Sequence, residues 1–305
     1  MNQEFQDFEI IVVDDGSTDN TYKNALGISD SRLFVYRFEK NSGACIAANH
    51  ALEKTTGEYI AMLSSDDVFL PTKLQRQLTF LDENPNIAAV FSLAEFIDND
   101  GNVVSDEKFD LHFNHEKNKT RYQWLNRFYH HMNHLIHPSA LIRRSIYTEI
   151  GNYDPRFAQV PDFDFWIRLT LKHEIHIIQD KLIKFRILPA NANASGSRPG
   201  VLIRTQIEHY KILEHFREAC KNGLIENIFP ELIAQFKNGF HSEYVLARHA
   251  ISLGGIHVLF GLNLLYDLLS ETTTMEQIEL LHNFTYKDLI ELSGIYDIFS
   301  VNNQK

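Results

Sequence analysis

The sequence predicts an α/β fold with a mostly parallel sheet flanked by helices, followed by a separate helical module. Three observations carry this. Phe8-Glu9-Ile10-Ile11-Val12-Val13 is an apolar, β-branched run that stops at Asp14-Asp15-Gly16-Ser17, the pattern of a strand buried on both faces and closed by a tight turn. Strand-like and helix-like stretches then alternate as far as Ile187, which implies helical crossovers between parallel strands. Beyond Gly200 the apolar positions Ile203, Ile207, Tyr210, Leu213 and Phe216 recur at helical spacing, with no strand-like alternation. Two domains follow from the shift: an α/β domain over 1–198 and a module of five or six helices over 199–305. Pro189 to Gly200 reads by composition as the tether.

In chain order, Arg32 to Phe38 alternates as a second strand, and Gly43 to Lys54 carries small and apolar residues at helical spacing, with Gly57 as its C-cap. Tyr59 to Leu63 is a third strand and Pro71 to Leu81 a helix closed by Asn84-Pro85. Ile87 to Phe96 is a fourth strand with a hairpin-type turn at Asn99-Asp100-Gly101-Asn102. A helix over Arg121 to Met132 interrupts a stretch rich in His, Asn and aromatics. Ser139 to Arg143 reads as a short strand, Ile146 to Gly151 as a helical turn and Asp164 to Lys172 as a helix. Ile175 to Ile178 and Leu182 to Ile187 finish the sheet.

Composition narrows the function classes. With 305 residues the chain can hold two cores, and a formal net charge of −11 disfavours non-specific binding to nucleic acid or to an anionic membrane. Two cysteines, Cys45 and Cys220, stand in no metal-ligand spacing, as in a reducing compartment. The first residues do not read as a signal peptide, and the apolar stretch Ile251 to Leu269 is interrupted by His257, Asn263, Asp267 and the pair Gly254-Gly255, so it reads as a buried helix. These features predict a cytoplasmic protein.

The candidate chemistry lies in carboxylates at strand ends. Asp66-Asp67 follow an apolar strand and precede Pro71; ligands in open α/β sheets bind at that edge, and two acids there suit a divalent cation and, through it, a diphosphate. The plain alternative is an acidic turn before a helix. Asp14 and Asp15 end the first strand, where the plain alternative is an Asx-turn or an N-cap. Asp162 and Asp164 open an amphipathic helix. His130, His131, His134 and His137 have spacings compatible with zinc, although such residues more often line a polar, aromatic loop wall.

Taken together, these segments resemble family 2 inverting glycosyltransferases of the GT-A fold. The resemblance runs through Phe8–Thr21, then Asn41-Ser42-Gly43 with Ala48-Asn49, Gly57-Glu58-Tyr59-Ile60, and Ser65-Asp66-Asp67 with Leu70-Pro71. It continues through His137-Pro138-Ser139-Ala140-Leu141-Ile142-Arg143-Arg144 with Gly151-Asn152-Tyr153-Asp154, and ends at Pro161-Asp162-Phe163-Asp164-Phe165-Trp166. It implies a nucleotide-sugar donor, UDP-linked, bound by Asp15 at the uracil with Asp14 and Ser17 in support. It also implies Mg²⁺ or Mn²⁺ at Asp66 and Asp67, with Asp66 also at the ribose. Asp162 would be the general base on an acceptor hydroxyl, Asp164 would cap the helix of Trp166 or position the acceptor, and His137 would have an acceptor-side or structural role. The partners implied are the donor and a glycan or lipid-linked acceptor of bacterial surface polysaccharide synthesis, at the inner face of the membrane; peripheral membrane association and a homo-oligomer stay open. Departures are Ser64 for an acid, Ala48 for an arginine, and Leu188 for the histidine of an Arg-x-His-Pro pattern. The resemblance further implies a preceding β–α unit of roughly thirty residues not seen ahead of Phe8. A catalytically silent binding or scaffold protein is the second reading, and a phosphoacceptor receiver domain the third.

Overall fold

The computed structural model describes residues 1–188, 196, 198–236 and 242–299. The chain divides into two compact units, Met1–Leu202 and Ile203–Lys305. Most of the expected tether, residues 189–195 and 197, lies outside the described residues, and Pro199-Gly200 already belong to a helix.

The first unit opens with β1 (Ile10–Asp14), α1 (Thr21–Leu26) and β2 (Leu33–Arg37). β1 and β2 pair in parallel from Ile10↔Leu33 to Asp14↔Arg37 as a two-stranded sheet of their own. Gly16 turns the chain out of β1 at φ +74°; a Cβ there would come within 2.5 Å of the Lys40 carbonyl carbon, so only glycine lets this turn lie against the loop at residues 40–41. α2 (Ala44–Lys54) follows. Its C-cap is the extended Thr55 and not Gly57, whose N–H is held instead by the Glu9 carboxylate at 3.0 Å.

The remaining elements are β3 (Tyr59–Ile60), β4 (Val68–Phe69), α3 (Lys73–Glu83), β5 (Ile87–Ile97), α4 (Glu107–Phe113), α5 (Arg121–His131), a 3₁₀ turn at His137–Ser139, β6 (Leu141–Arg143), α6 (Arg144–Ile150), α7 (Pro161–Thr170) and β7 (Glu174–Arg186). Five strands form a second sheet in the order β3-β6-β5-β7-β4. Its long ladder, β5 with β7, is parallel; the short ladders of β3 and β5 with β6 and of β4 with β7 are antiparallel. The sheet is therefore mixed, with parallel pairing confined to the long strands. The two strands expected over 175–187 are one: Gln179-Asp180-Lys181 break the apolar pattern but not the strand, which absorbs them with register shifts opposite Ser92–Ala94.

Two apolar clusters cover this sheet. Leu74, Leu81, Val90 and Leu141 gather Phe5, Phe8 and Tyr59, while Ala94, Phe96, Ile136 and Ile183 gather Phe69, Phe109, Phe113 and Phe185. α7 buries Phe163, Phe165, Trp166 and Ile167 completely, and α5 does the same with Trp124, Leu125, Phe128 and Tyr129. These anchors fix the helix starts and ends that carry the polar residues described below.

The second unit is helical as expected: α8 (Pro199–Lys221, which begins in the first unit), α9 (Ile225–Ile228), a 3₁₀ turn at Pro230–Gln235, α10 (Ser242–Leu253), α11 (Gly255–Leu268), α12 (Thr272–His282) and α13 (Tyr286–Ser293). The apolar stretch 251–269 is cut at Gly254-Gly255, both at positive φ, and α10 and α11 pack so closely that a Cβ on Gly261 would meet the Ala247 carbonyl oxygen at 2.5 Å. Among the described residues no helix is long and apolar enough to cross a membrane, and Cys45 and Cys220 are buried and form no disulfide.

Candidate active site

Topology brings two of the three acidic segments, Asp66-Asp67 and Asp162, to one edge of the five-stranded sheet, together with the turn that carries His137. β5 and β7 run in parallel and end at Ile97 and Arg186. β6 is antiparallel to β5, so the residues preceding it, the 137–139 turn, lie toward the carboxyl end of β5. β3 is antiparallel to β6, so the chain leaving Ile60 heads the same way and reaches Asp66-Asp67. α7 runs back to the start of β7, which leaves its N-terminus and Asp162 at the carboxyl edge. Ligands of open α/β sheets collect at this edge.

Arg186 organises the Asp66-Asp67 turn. Its backbone N–H donates to Asp67 Oδ1 at 2.9 Å, its Nε donates to the Asp66 carbonyl at 2.8 Å, and its Nη1 reaches the Asn99 carbonyl at 2.9 Å. Asp67 is buried and Asp66 partly exposed. Burial raises the Asp67 carboxyl to about 6; the Arg186 N–H opposes the rise and the charge of Asp66 adds to it. Two adjacent carboxylates, one of them desolvated, form an all-oxygen donor set suited to a hard divalent cation.

At the tip of β1, Asp14 Oδ1 accepts from the Ser17 N–H at 3.1 Å, the Asx-turn alternative, and lies 3.3 Å from Arg37 Nε. Its Oδ2 is buried with no hydrogen-bond partner among the described residues. Asp15 accepts from the Ser42 N–H at 2.7 Å and the Gly43 N–H at 2.9 Å, one on each oxygen. It thereby holds the N-terminus of α2, whose N-cap is Gly43 at φ +103°.

α2 then ties this corner to Asp162. Asn49 exchanges two hydrogen bonds with the Tyr153 backbone, at 2.7 and 3.1 Å, and Cys45 Sγ donates to the Phe157 carbonyl at 3.1 Å. The 153–157 loop leads into α7. Tyr153 OH meets His137 Nε2 at 2.9 Å and Tyr147 OH at 3.2 Å. Asp162 Oδ2 accepts from Asn133 Nδ2 at 2.9 Å. Burial raises the Asp162 carboxyl, opposed by His137, by backbone N–H groups at the start of α7 and by Asn133. Burial also lowers His137, against the pull of Asp162.

Asp164 is committed elsewhere. It is buried on the other side of the first turn, paired at 2.8 Å with Arg168 Nε, whose guanidinium also holds the carbonyls of Ile150 and Asn152. Neither Asp162 nor Asp164 caps α7 in the Ncap sense; Val160 occupies that position. Among the described residues, the four histidines form no metal-ligand set with one another. His130 Nδ1 faces the Asn126 carbonyl, and both nitrogens of His134 face carbonyl oxygens. Asn133 carries no signal in the sequence, and Arg186 reads there only as the first residue of the Arg-x-His-Pro-like stretch, not as a partner of Asp66-Asp67.

Residues 1–151 match the model of glycosyl transferase family 2. An uncharacterized glycosyltransferase of Methanocaldococcus jannaschii is 28% identical over 234 residues, 75% of this chain and 77% of that protein. The chain belongs to the family 2 glycosyltransferases. A further relative in this family is the Escherichia coli UDP-Glc:α-D-GlcNAc-diphosphoundecaprenol β-1,3-glucosyltransferase WfgD, 36% identical over 111 residues, 35% of this chain and 44% of that protein. Among solved structures, S. aureus TarS 1–349 in complex with UDP-GlcNAc shares the fold, with a TM-score of 0.56 at 19% identity over 98% of this chain and 84% of that one. The glycosyltransferase domain of this chain is thus a GT-A-like sheet flanked by helices, and a helical region follows it.

Proposed function

We propose that this glycosyltransferase moves a sugar from a UDP-sugar to a hydroxyl of a glycan or lipid-linked acceptor with inversion, at the cytoplasmic face of a bacterial membrane. The observation that carries the reading is Asp162. It is a carboxylate with a raised pKa, held by one side-chain donor, at the same sheet edge as the paired acids Asp66-Asp67. In this reading the acceptor hydroxyl gives its proton to Asp162 while its oxygen bonds to the anomeric carbon. The bond from that carbon to the diphosphate oxygen breaks on the opposite face, and UDP leaves with the electron pair. Asp66 and Asp67 would hold Mg²⁺ or Mn²⁺, which when bound neutralises charge on the departing diphosphate. Asp15 keeps lone pairs for the uracil imide beyond its two backbone donors, and the buried Asp14 supports that tip by accepting from the Ser17 N–H. The names of WfgD and of the TarS complex support UDP as the carrier, and that of WfgD supports a lipid-linked acceptor.

The test is thermal unfolding with UDP and Mn²⁺. Ligand at 100 times its dissociation constant should add about 2.7 kcal/mol, and no shift with any nucleoside diphosphate would defeat the donor assignment. Asp162→Asn should abolish transfer and leave UDP binding intact. UDP binding without turnover in the unaltered chain would favour the binding-protein reading that Ser64 and Leu188 invite.

A further inference from the structure

α5 ends in an unusual way. Met132, its C-cap, stands at φ +63° and ψ −157°, a region that residues with a Cβ avoid. A helix can stop more cheaply than this: α12 ends on Asn283 at φ +50° and ψ +46°, the ordinary left-handed cap. Strain of this kind persists only where the surroundings over-determine it.

What the strained residue delivers is Asn133, whose carbonyl, Oδ1 and Nδ2 are all engaged. Its carbonyl meets His112 Nε2 at 2.9 Å, its Oδ1 accepts from the Leu135 N–H at 2.9 Å, and its Nδ2 donates to Asp162 Oδ2 at 2.9 Å. The Leu135 bond fixes the orientation of the amide: the oxygen must face that N–H, so the NH₂ must face Asp162. α5, which leads into the turn, has Trp124, Leu125, Phe128 and Tyr129 fully buried, and the His112 ring lies against that of His134 at 4.1 Å between ring centres, tilted by 31°.

We propose that Asn133 is the positioning residue for Asp162. It occupies Oδ2, fixes the carboxylate rotamer, stabilises the ionised form, and leaves Oδ1 to take the acceptor proton. The backbone of Met132 is the device that aims it. This rests on the reading of Asp162 as the base. His137 approaches the same carboxylate and is held through Tyr153, so Asn133 and His137 bear on Asp162 from separate segments.

The experiment separates positioning from structure. Asn133→Asp keeps an oxygen for the Leu135 N–H and replaces the donor to Asp162 with an acceptor; Asn133→Ala removes the side chain. With UDP-glucose and Mn²⁺ as probe, hydrolysis to water is followed against pH, and the Asp162 carboxyl is titrated by ¹³C NMR, assigned by its loss in Asp162→Asn. In Asn133→Ala the carboxyl should titrate higher by about one unit. In Asn133→Asp the acid limb of hydrolysis should move up at least as far, with UDP affinity unchanged. Unmoved titration and an unmoved acid limb, even with a lowered melting temperature, would reduce Asn133 to a structural residue and overturn the proposal. Should Asp162→Asn retain hydrolysis, the base assignment fails, and the carboxyl titration still decides whether Asn133 governs Asp162.

Discussion

Asp67 carries a carboxyl that burial has lifted to about 6 in a native state that still needs its oxygen for the Arg186 N–H. A carboxyl raised above its unfolded value binds more protons in the folded chain between about pH 4 and pH 6. Stability should therefore fall as pH rises through that window, and the deficit is complete above it. Asp67→Asn keeps the acceptor for Arg186 and removes the charge. Urea unfolding at pH 7 should show it more stable, by on the order of 2 kcal/mol, with a flatter dependence between pH 4 and 6; a variant less stable than the parent at pH 7 would sink the idea. The same substitution should weaken Mn²⁺-dependent UDP binding, the trade expected when a strained group is kept for function. Asp67 was legible in the sequence because an acid after an apolar run breaks a pattern, and Asp162 because an Asp-x-Asp pair opens an amphipathic helix. Asn133 was not: an amide among histidines breaks none, and its value lies in a backbone angle at Met132 that no residue type announces.

α3 shows the same limit for an element. By residue type Lys73 and Gln77 belong in solvent, although helical spacing puts both on the face that carries Leu81. Both are fully buried. Lys73 Nζ donates to Gln77 Oε1 at 2.7 Å and to the Ala140 carbonyl at 3.1 Å and lies 4.2 Å from the Phe69 ring centre, and Gln77 Nε2 donates to the Ser139 carbonyl at 2.7 Å. The pair thus clamps α3 onto the turn that carries His137, a tertiary fact with no local trace. Among the described residues no carboxylate forms an ion pair with Lys73, and burial lowers its ammonium to about 7. The unfolded chain then holds a proton that the native chain releases between about pH 7 and pH 10, so this group makes stability rise with pH across that window. Lys73→Met should remove that slope and, by leaving the Gln77 and Ala140 oxygens unpaired, cost about 1–3 kcal/mol at pH 9. Melting temperatures of both chains from pH 6.5 to 9.5 give the difference; parallel curves would refute it. Elements with strong periodicity, such as β5 and α5, were readable to within a residue or two. α1 and α4 were not read, because six and seven residues are too few for a helical period to stand out.

For the whole molecule, the two units differ in what can be observed in each. Met1–Leu202 holds the mixed sheet, Asp66, Asp162 and both tryptophans, Trp124 and Trp166, which are fully buried. Ile203–Lys305 is helical and builds its own core from residues such as Phe216, Phe229, Phe260 and Leu265. Separate cores of this size are expected to unfold as separate cooperative steps. Tryptophan fluorescence then follows the first unit alone, while circular dichroism at 222 nm follows helix in both. A ligand stabilises only the state that binds it. UDP with Mn²⁺ should therefore raise the fluorescence midpoint and the matching part of the dichroism curve. It should leave a second dichroism component where it was. Coincident fluorescence and dichroism curves that move together with UDP would show instead one cooperative molecule, in which the helical unit shares in donor binding. An unmoved fluorescence midpoint beside a shifted dichroism component would place the nucleotide in the helical unit, against the assignment of Asp15, Asp66 and Asp67 to the donor.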